Sequence, residues 1–406
     1  MNRFIFLCLT PFLSLSALHV GVSSVEITPP VGTPSAGYVA RRGAGMEGIH
    51  DALLAIALFI DTGTKQIALC SVDHLGFTFE MTQEVASIVH EQLPKCEVYV
   101  ASSHTHSGGG AYLDMPLIGS SLAGNFDAAI KRAYVEKAAY AIVQANRAAQ
   151  PAKLGIGYGK ADNISRYRAS WPTDREPLSQ IALLKVTKLD GTPYAALFNY
   201  PLHPTTLPAE NRLFSADFVG YARDHIKTLI GSGVQSLFFN GAQGDIVPKI
   251  CNDKDRFESC DCLGLSLALT VQEIWDRIEP KEEVEIQSER LAYSFTPKPT
   301  PQGLKLPIES YQTELNLLIF DQVHAFITIP GELSSVYDER LKTKGAALGF
   351  EHVSIFGLTN DAHGYIILPE AWNHRTFESQ LSFGGERYGS EVEDRIVSLM
   401  EKGANP

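Results

Sequence analysis

His104 and His106 stand one residue apart, directly after the apolar run Glu97-Val98-Tyr99-Val100-Ala101 and just before Gly108-Gly109-Gly110. In an extended strand, residues two apart share a face, so both imidazoles can line one site at the mouth of a buried strand. Neutral imidazole is the commonest metal ligand among side chains, and zinc takes it readily. The spacing leaves open two ligands, one ligand with a helper, or two surface loop histidines. Three further strand-like runs end on suitable side chains. The run 194–199 gives way to His203, flanked by Pro201 and Pro204, which stiffen the backbone. The run 325–329 leads into Pro330-Gly331-Glu332, whose carboxylate would complete a zinc site of two histidines and one glutamate with an open position for water. Glu332 equally suits a helix N-terminus, where the dipole favours acid. The run 235–239 leads into Asn240-Gly241-Ala242-Gln243-Gly244-Asp245, a turn able to bring backbone N–H groups and Asp245 to a ligand, or simply to reverse the chain.

The elements that must hold these residues follow from the apolar patterning. It predicts strands over 20–27, 53–60, 66–72, 97–101, 181–186, 194–199, 235–239, 314–320, 325–329 and 353–358. Helical spacing predicts helices over 81–93, 126–149, 216–230, 262–278, 332–348 and 391–402. Such interleaving implies an α/β fold, a layered mixed sheet with helices in a single large domain. In that architecture chemistry gathers at strand ends.

Composition sets the outer limits. A net charge of −12 with no basic run argues against nucleic acid and against an anionic lipid surface as electrostatic partners, because both need clustered Lys and Arg. Residues 1–17 have a short basic start, an apolar stretch and small residues Ser14, Ser16 and Ala17, which is the pattern of a signal peptide and implies a secreted or periplasmic protein. No other stretch has the ~18 uncharged apolar residues that a membrane span needs. Beyond Cys8 there are Cys70, Cys96, Cys251, Cys260 and Cys262, an odd number that leaves at least one thiol unpaired within the monomer. Cys70 and Cys96 read as core residues. Among the other three one disulfide is expected in an oxidising compartment, since a metal cluster lacks its paired Cys-x-x-Cys spacing.

Taken in order, these segments resemble the neutral/alkaline ceramidase family, specifically its zinc-dependent catalytic domain. The resemblance is carried by 20–29, Ser71-Val72-Asp73, His104-Thr105-His106-Ser107-Gly108, Asn163-Ile164-Ser165-Arg166, and His203 with Ser215-Ala216-Asp217 and Gly220-Tyr221-Ala222. It continues through 240–248, Pro330-Gly331-Glu332, and Leu358-Thr359-Asn360 with Gly364-Tyr365. It implies zinc ligands His104, His203, Glu332 and Tyr365, with a water completing the shell, and His106 and Arg166 as groups that stabilise an oxyanion at the reacting carbonyl. A tyrosine ligand is unusual, because a phenol with a pKa near ~10 must be acidified by the metal. Two departures stand out. The family's Gly-Asp-x-Ser-Pro motif reads Gly244-Asp245-Ile246-Val247-Pro248 here, and the side chain of Val247 can neither attack nor hydrogen-bond. The sequence also stops at Pro406, so the domain reading is a signal peptide over 1–17 and a catalytic domain over 18–406, without the C-terminal immunoglobulin-like domain of the long ceramidases.

The function implied is hydrolysis of the N-acyl amide bond of ceramide-like lipids by zinc-activated water. The partner is then a small-molecule or lipid N-acyl amide, with at most transient contact at a membrane surface. Two alternatives stand beside it. One is a zinc amidase for another N-acyl compound, such as a peptide, an amino sugar or an acyl amide. The other is a zinc-containing binding protein without turnover.

Overall fold

The computed structural model describes residues 18–115, 118–168 and 176–404, so the expected export segment and its Cys8 lie outside the described residues. Eight strands form one mixed sheet in the order Gln235–Asn240, Pro193–Tyr200, Gln180–Lys188, Gln150–Lys160, His19–Glu26, Leu54–Asp61, Gln66–Val72, Cys96–Ser102. The two outermost pairs are parallel and the pairings between them antiparallel. A second sheet runs Ile286–Phe295, Tyr311–Phe320, His324–Thr328, His352–Phe356, with its last pair parallel.

The two sheets pack face to face, with Val20, Leu58 and Leu237 of the first meeting Leu318, Phe326 and Phe356 of the second in one buried core. Helices cover the outer faces. Phe79–His90 and Ala128–Arg147 lie on one half of the large sheet, Phe218–Ile230 and Arg256–Arg277 on the other, and Ser335–Ala347 and Tyr388–Ala404 on the second sheet. This double cover is why strands such as Leu54–Asp61 read as unbroken apolar runs: neither face meets water. No helix among the described residues is long and apolar enough to cross a membrane.

The strand Gln150–Lys160 escapes the sequence pattern because Gly155, Gly157 and Gly159 interrupt its apolar face. They are there for packing. A Cβ on Gly155 or Gly157 would come within 2.5 Å or 2.6 Å of Ile278, so this glycine stripe lets the helix Arg256–Arg277 and its end settle directly on the sheet. The predicted helix over 332–348 begins only at Ser335, since Glu332 and Leu333 pair as strand with Tyr365 and Ile366. Cys70 and Cys96 are core residues as expected, and Cys260 is buried on the helix beside Asp217, whereas Cys251 and Cys262 are exposed.

One ion pair ties the layers together close to the strand ends. Arg223 grips Asp73 in a bidentate pair at 2.9 and 2.6 Å, both side chains are buried, and the Leu54 N–H also donates to the carboxylate. Asp73→Ala strands a buried guanidinium, so unfolding in urea should show a loss of about 3–5 kcal/mol, the usual cost of breaking such a pair from one side. A loss under ~1 kcal/mol would mean that water reaches Arg223.

Candidate metal centre

The site forms where the parallel strand ends of both sheets meet. The strand Cys96–Ser102 stops two residues before His104, which takes a left-handed backbone conformation (φ 74°) while its N–H donates to the His74 carbonyl. A left-handed non-glycine residue costs on the order of 1 kcal/mol or more, and such strain persists only where the surroundings impose it. His104 and His106 therefore meet through a turn, not through the pleat of a continuing strand, and their rings lie 4.9 Å apart edge to face. His203 follows Pro193–Tyr200, and its N–H donates to the Ile246 carbonyl. Asn240, fully buried at the end of Gln235–Asn240, latches both loops: its amide nitrogen donates to the carbonyls of Ser103 and Leu202 at 3.1 and 3.0 Å, and its oxygen accepts from Leu202 and Gly241. The turn after it does not offer Asp245 to a ligand. That carboxylate accepts from the Ser334 hydroxyl and the Ser335 N–H, capping the helix that follows Glu332.

The donor atoms converge in a way that suits a cation. His104 Nδ1 lies 2.6 Å from the Leu75 carbonyl and His203 Nδ1 lies 3.2 Å from that of Gln243. A carbonyl only accepts, so His104 Nδ1 donates to Leu75, the arrangement that orients metal-binding histidines, while His203 Nδ1 stands between the Gln243 carbonyl and Arg168 Nη2 at 3.3 Å. The Nε2 atoms of these two rings are 3.1 Å apart. Glu332 Oε2 stands 3.3 Å from one and 3.5 Å from the other, with no hydrogen-bond donor of its own among the described residues, and His106 Nε2 is 3.4 Å from His104 Nε2. Burial first, then the neighbouring His104, holds His106 well below the ordinary imidazole range; burial and then Arg168 do the same to His203. Both rings are thus neutral. Imidazole nitrogens and a carboxylate oxygen gathered this closely fit a metal ion, and His104, His106 and His203, with ligand atoms all within 4.8 Å of one another, could hold one.

The short parallel bridge Glu332–Tyr365 sets these two side chains next to each other. The Tyr365 ring stacks 6.4 Å from that of His203, and its hydroxyl accepts from Arg168 at 3.2 Å. Burial, with the Glu332 carboxylate second, pushes the Tyr365 phenol far up even with the Arg168 guanidinium beside it, so without a metal ion it keeps its proton.

Arg166 does not join the site. It is exposed, and its guanidinium donates to the Tyr167 carbonyl. Arg168 is the arginine at the centre, with one Nη on Tyr365, Glu378 and the Gly244 carbonyl and the other 3.3 Å from the His203 ring. The ladder explains the correction. Arg166 pairs with Val247 and the Arg168 N–H donates to Asp245, so the two arginines share a face but stand one pleat repeat, ~7 Å, apart. Buried Glu378 and the Phe377 ring, 4.6 Å from the guanidinium, complete its cradle. Neither carried a sequence signal, because they sit at the start of a single short 3-10 turn, Glu378–Leu381, too brief to show a periodicity. Around this polar centre opens a cavity of about 390 Å³ with walls that are mainly apolar, among them Leu75, Met115, Val247, Leu306 and Phe383.

With this geometry in view, comparison with known proteins is specific. The family described as neutral/alkaline non-lysosomal ceramidase, N-terminal, matches residues 18–292. Neutral ceramidase A of Dictyostelium discoideum is 25% identical over 295 residues, covering 64% of this chain and 40% of that protein. The neutral ceramidase of Pseudomonas aeruginosa is 26% identical over 220 residues, covering 50% of this chain and 33% of that protein. The chain thus spans less than half the length of these curated relatives. The crystal structure of neutral ceramidase from Pseudomonas aeruginosa superposes with a TM-score of 0.86 at 18% identity, over 96% of this chain and 75% of that one, which shows the shared fold. Since the family match takes in well over half of the sequence and two of the histidine-bearing strand ends, the chain belongs to the neutral/alkaline non-lysosomal ceramidase family.

Proposed function

We propose that this protein is a zinc-dependent amidohydrolase that cleaves the N-acyl amide bond of ceramide-like lipids. The observation that carries the reading is the opening of a mainly apolar cavity directly onto the buried cluster of His104, His106, His203 and Glu332. His104, His203 and Glu332 would hold the ion, with Tyr365 beside Glu332 as the fourth ligand. Zinc supplies Lewis acidity and lowers the pKa of water toward ~7. The chain does the rest. Arg168, not Arg166, and His106 stand as donors toward an oxyanion that develops at the amide carbonyl, in a site where burial strengthens each donor. Glu378 and Phe377 keep the guanidinium aimed, and the Asn240 latch keeps the imidazoles from drifting apart. The apolar walls take the acyl chain, each buried methylene contributing about 0.8 kcal/mol. Export to the periplasm or beyond is part of the same proposal and rests on the pattern of residues 1–17.

Val247 faces this cavity where the family motif has serine, and it favours a second reading, a zinc-containing binding protein without turnover. One experiment separates them. The zinc-loaded chain, given ceramides and other N-acyl amides of graded chain length, should release fatty acid from at least one, stop with a chelator and recover with added zinc. Val247→Ser should change rate or preference without creating activity from nothing. No hydrolysis of any substrate by the zinc-loaded wild type, with turnover only in Val247→Ser, would overturn the hydrolase reading.

A further inference from the structure

Away from the metal centre, a second pair of reactive side chains is brought together on the outer surface. The loop after Pro248 is pinned to the first turn of the helix Arg256–Arg277: the Asn252 N–H donates to the Ser259 hydroxyl at 2.9 Å, and that hydroxyl donates back to the Asn252 carbonyl at 3.0 Å. This places Cys251 Sγ 3.6 Å from Ser259 Oγ. Cys262 follows Ser259 by three residues and so lies next to it on the same helix face. Both cysteines are exposed, whereas the remaining described thiols, Cys70, Cys96 and Cys260, are buried. The neighbouring Cys251 side chain, ahead of burial, pushes the Cys262 thiol up to about 11.

We propose that Cys251 and Cys262 are a dithiol–disulfide couple, a modification site that covalently clamps the loop behind the Ile246–Pro248 strand to the helix. With oxidised glutathione as oxidant, the Cys251 thiolate attacks one of its sulfurs, breaking that S–S bond and releasing one glutathione thiolate. Cys262, its proton lost to solvent, then attacks Cys251 Sγ and expels the second glutathione. Two protein thiols are oxidised by two electrons and two glutathione thiols are formed. The clamp bears on the site, because the Lys249 N–H donates to the Ile164 carbonyl and so extends the ladder of Ile246–Pro248 with Ser165–Tyr167, the strand that leads to Arg168.

The test uses the whole chain equilibrated with oxidised and reduced glutathione, alkylated, and digested with trypsin. Cleavage after Lys249, Lys254 and Arg256 puts Cys251 on a different peptide from Cys260 and Cys262. A linked pair of these peptides is expected in wild type and in Cys260→Ser, and its absence in Cys251→Ser and Cys262→Ser. The oxidised wild type should also melt at a higher temperature than the reduced form, a shift lost in Cys262→Ser. Separate glutathione adducts on Cys251 and Cys262 without the link, or a link that disappears in Cys260→Ser, would overturn the proposal.

Discussion

His104→Ala and His203→Ala should each purify as folded protein that has lost its metal, with affinity lowered by more than ~100-fold. The bound is set by precedent for lesser changes, since removing a group that only orients a ligand already costs ~10–100-fold. Folding should survive, because the imidazoles sit at strand ends while the packed layers that surround them are built from unbroken apolar strands and helices. Equilibrium dialysis with zinc, read by elemental analysis beside far-UV circular dichroism, checks both halves. Full zinc occupancy in both variants would refute the ligand assignment. His106→Ala belongs in the same measurement. Retained zinc with lost turnover marks His106 as a helper, and lost zinc marks it as a ligand, a choice that its 3.4 Å approach to His104 makes direct to measure.

The second large effect concerns the two arginines. Arg168→Ala should lower kcat by ~10²–10³, the loss typical of removing one donor from an oxyanion site, and should leave zinc in place. Arg166→Ala should stay within a few-fold of wild type, because its side chain is exposed and, among the described residues, donates to the carbonyl of its neighbour. Removing Arg168 also takes one cation away from buried Glu378, so stability should be measured beside the rate. The double variant Arg168→Ala/Glu378→Gln relieves that charge, so a loss of kcat that persists in it reports on chemistry. If Arg166→Ala proves the slower of the two, the register correction is wrong.

The two arginines also show what kind of information each level holds. Apolar runs and their ends are local properties, and so the strand ends that carry His104, His203 and Glu332 could be read from the chain itself. The mixed α/β layering follows from the same alternation of periods. Val247 in place of serine was equally plain. Side-chain alternation, however, fixes a phase and not an offset: Arg166 and Arg168 share a face, and only the pairing with Val247 and Asp245 decides which of them reaches the histidines. Glu378 opens a four-residue 3-10 turn too short for any periodicity to mark, and the glycines of Gln150–Lys160 look like interruptions until the helix that needs their space is in place. His104 and His203 are 99 residues apart, yet their Nε2 atoms stand 3.1 Å apart because a single buried amide, that of Asn240, holds both of their loops. The sequence thus determines which residues can do chemistry, since that depends on side-chain type and local pattern. Which of them act together is decided by tertiary structure, because convergence depends on strand pairing, register and helix packing between distant segments.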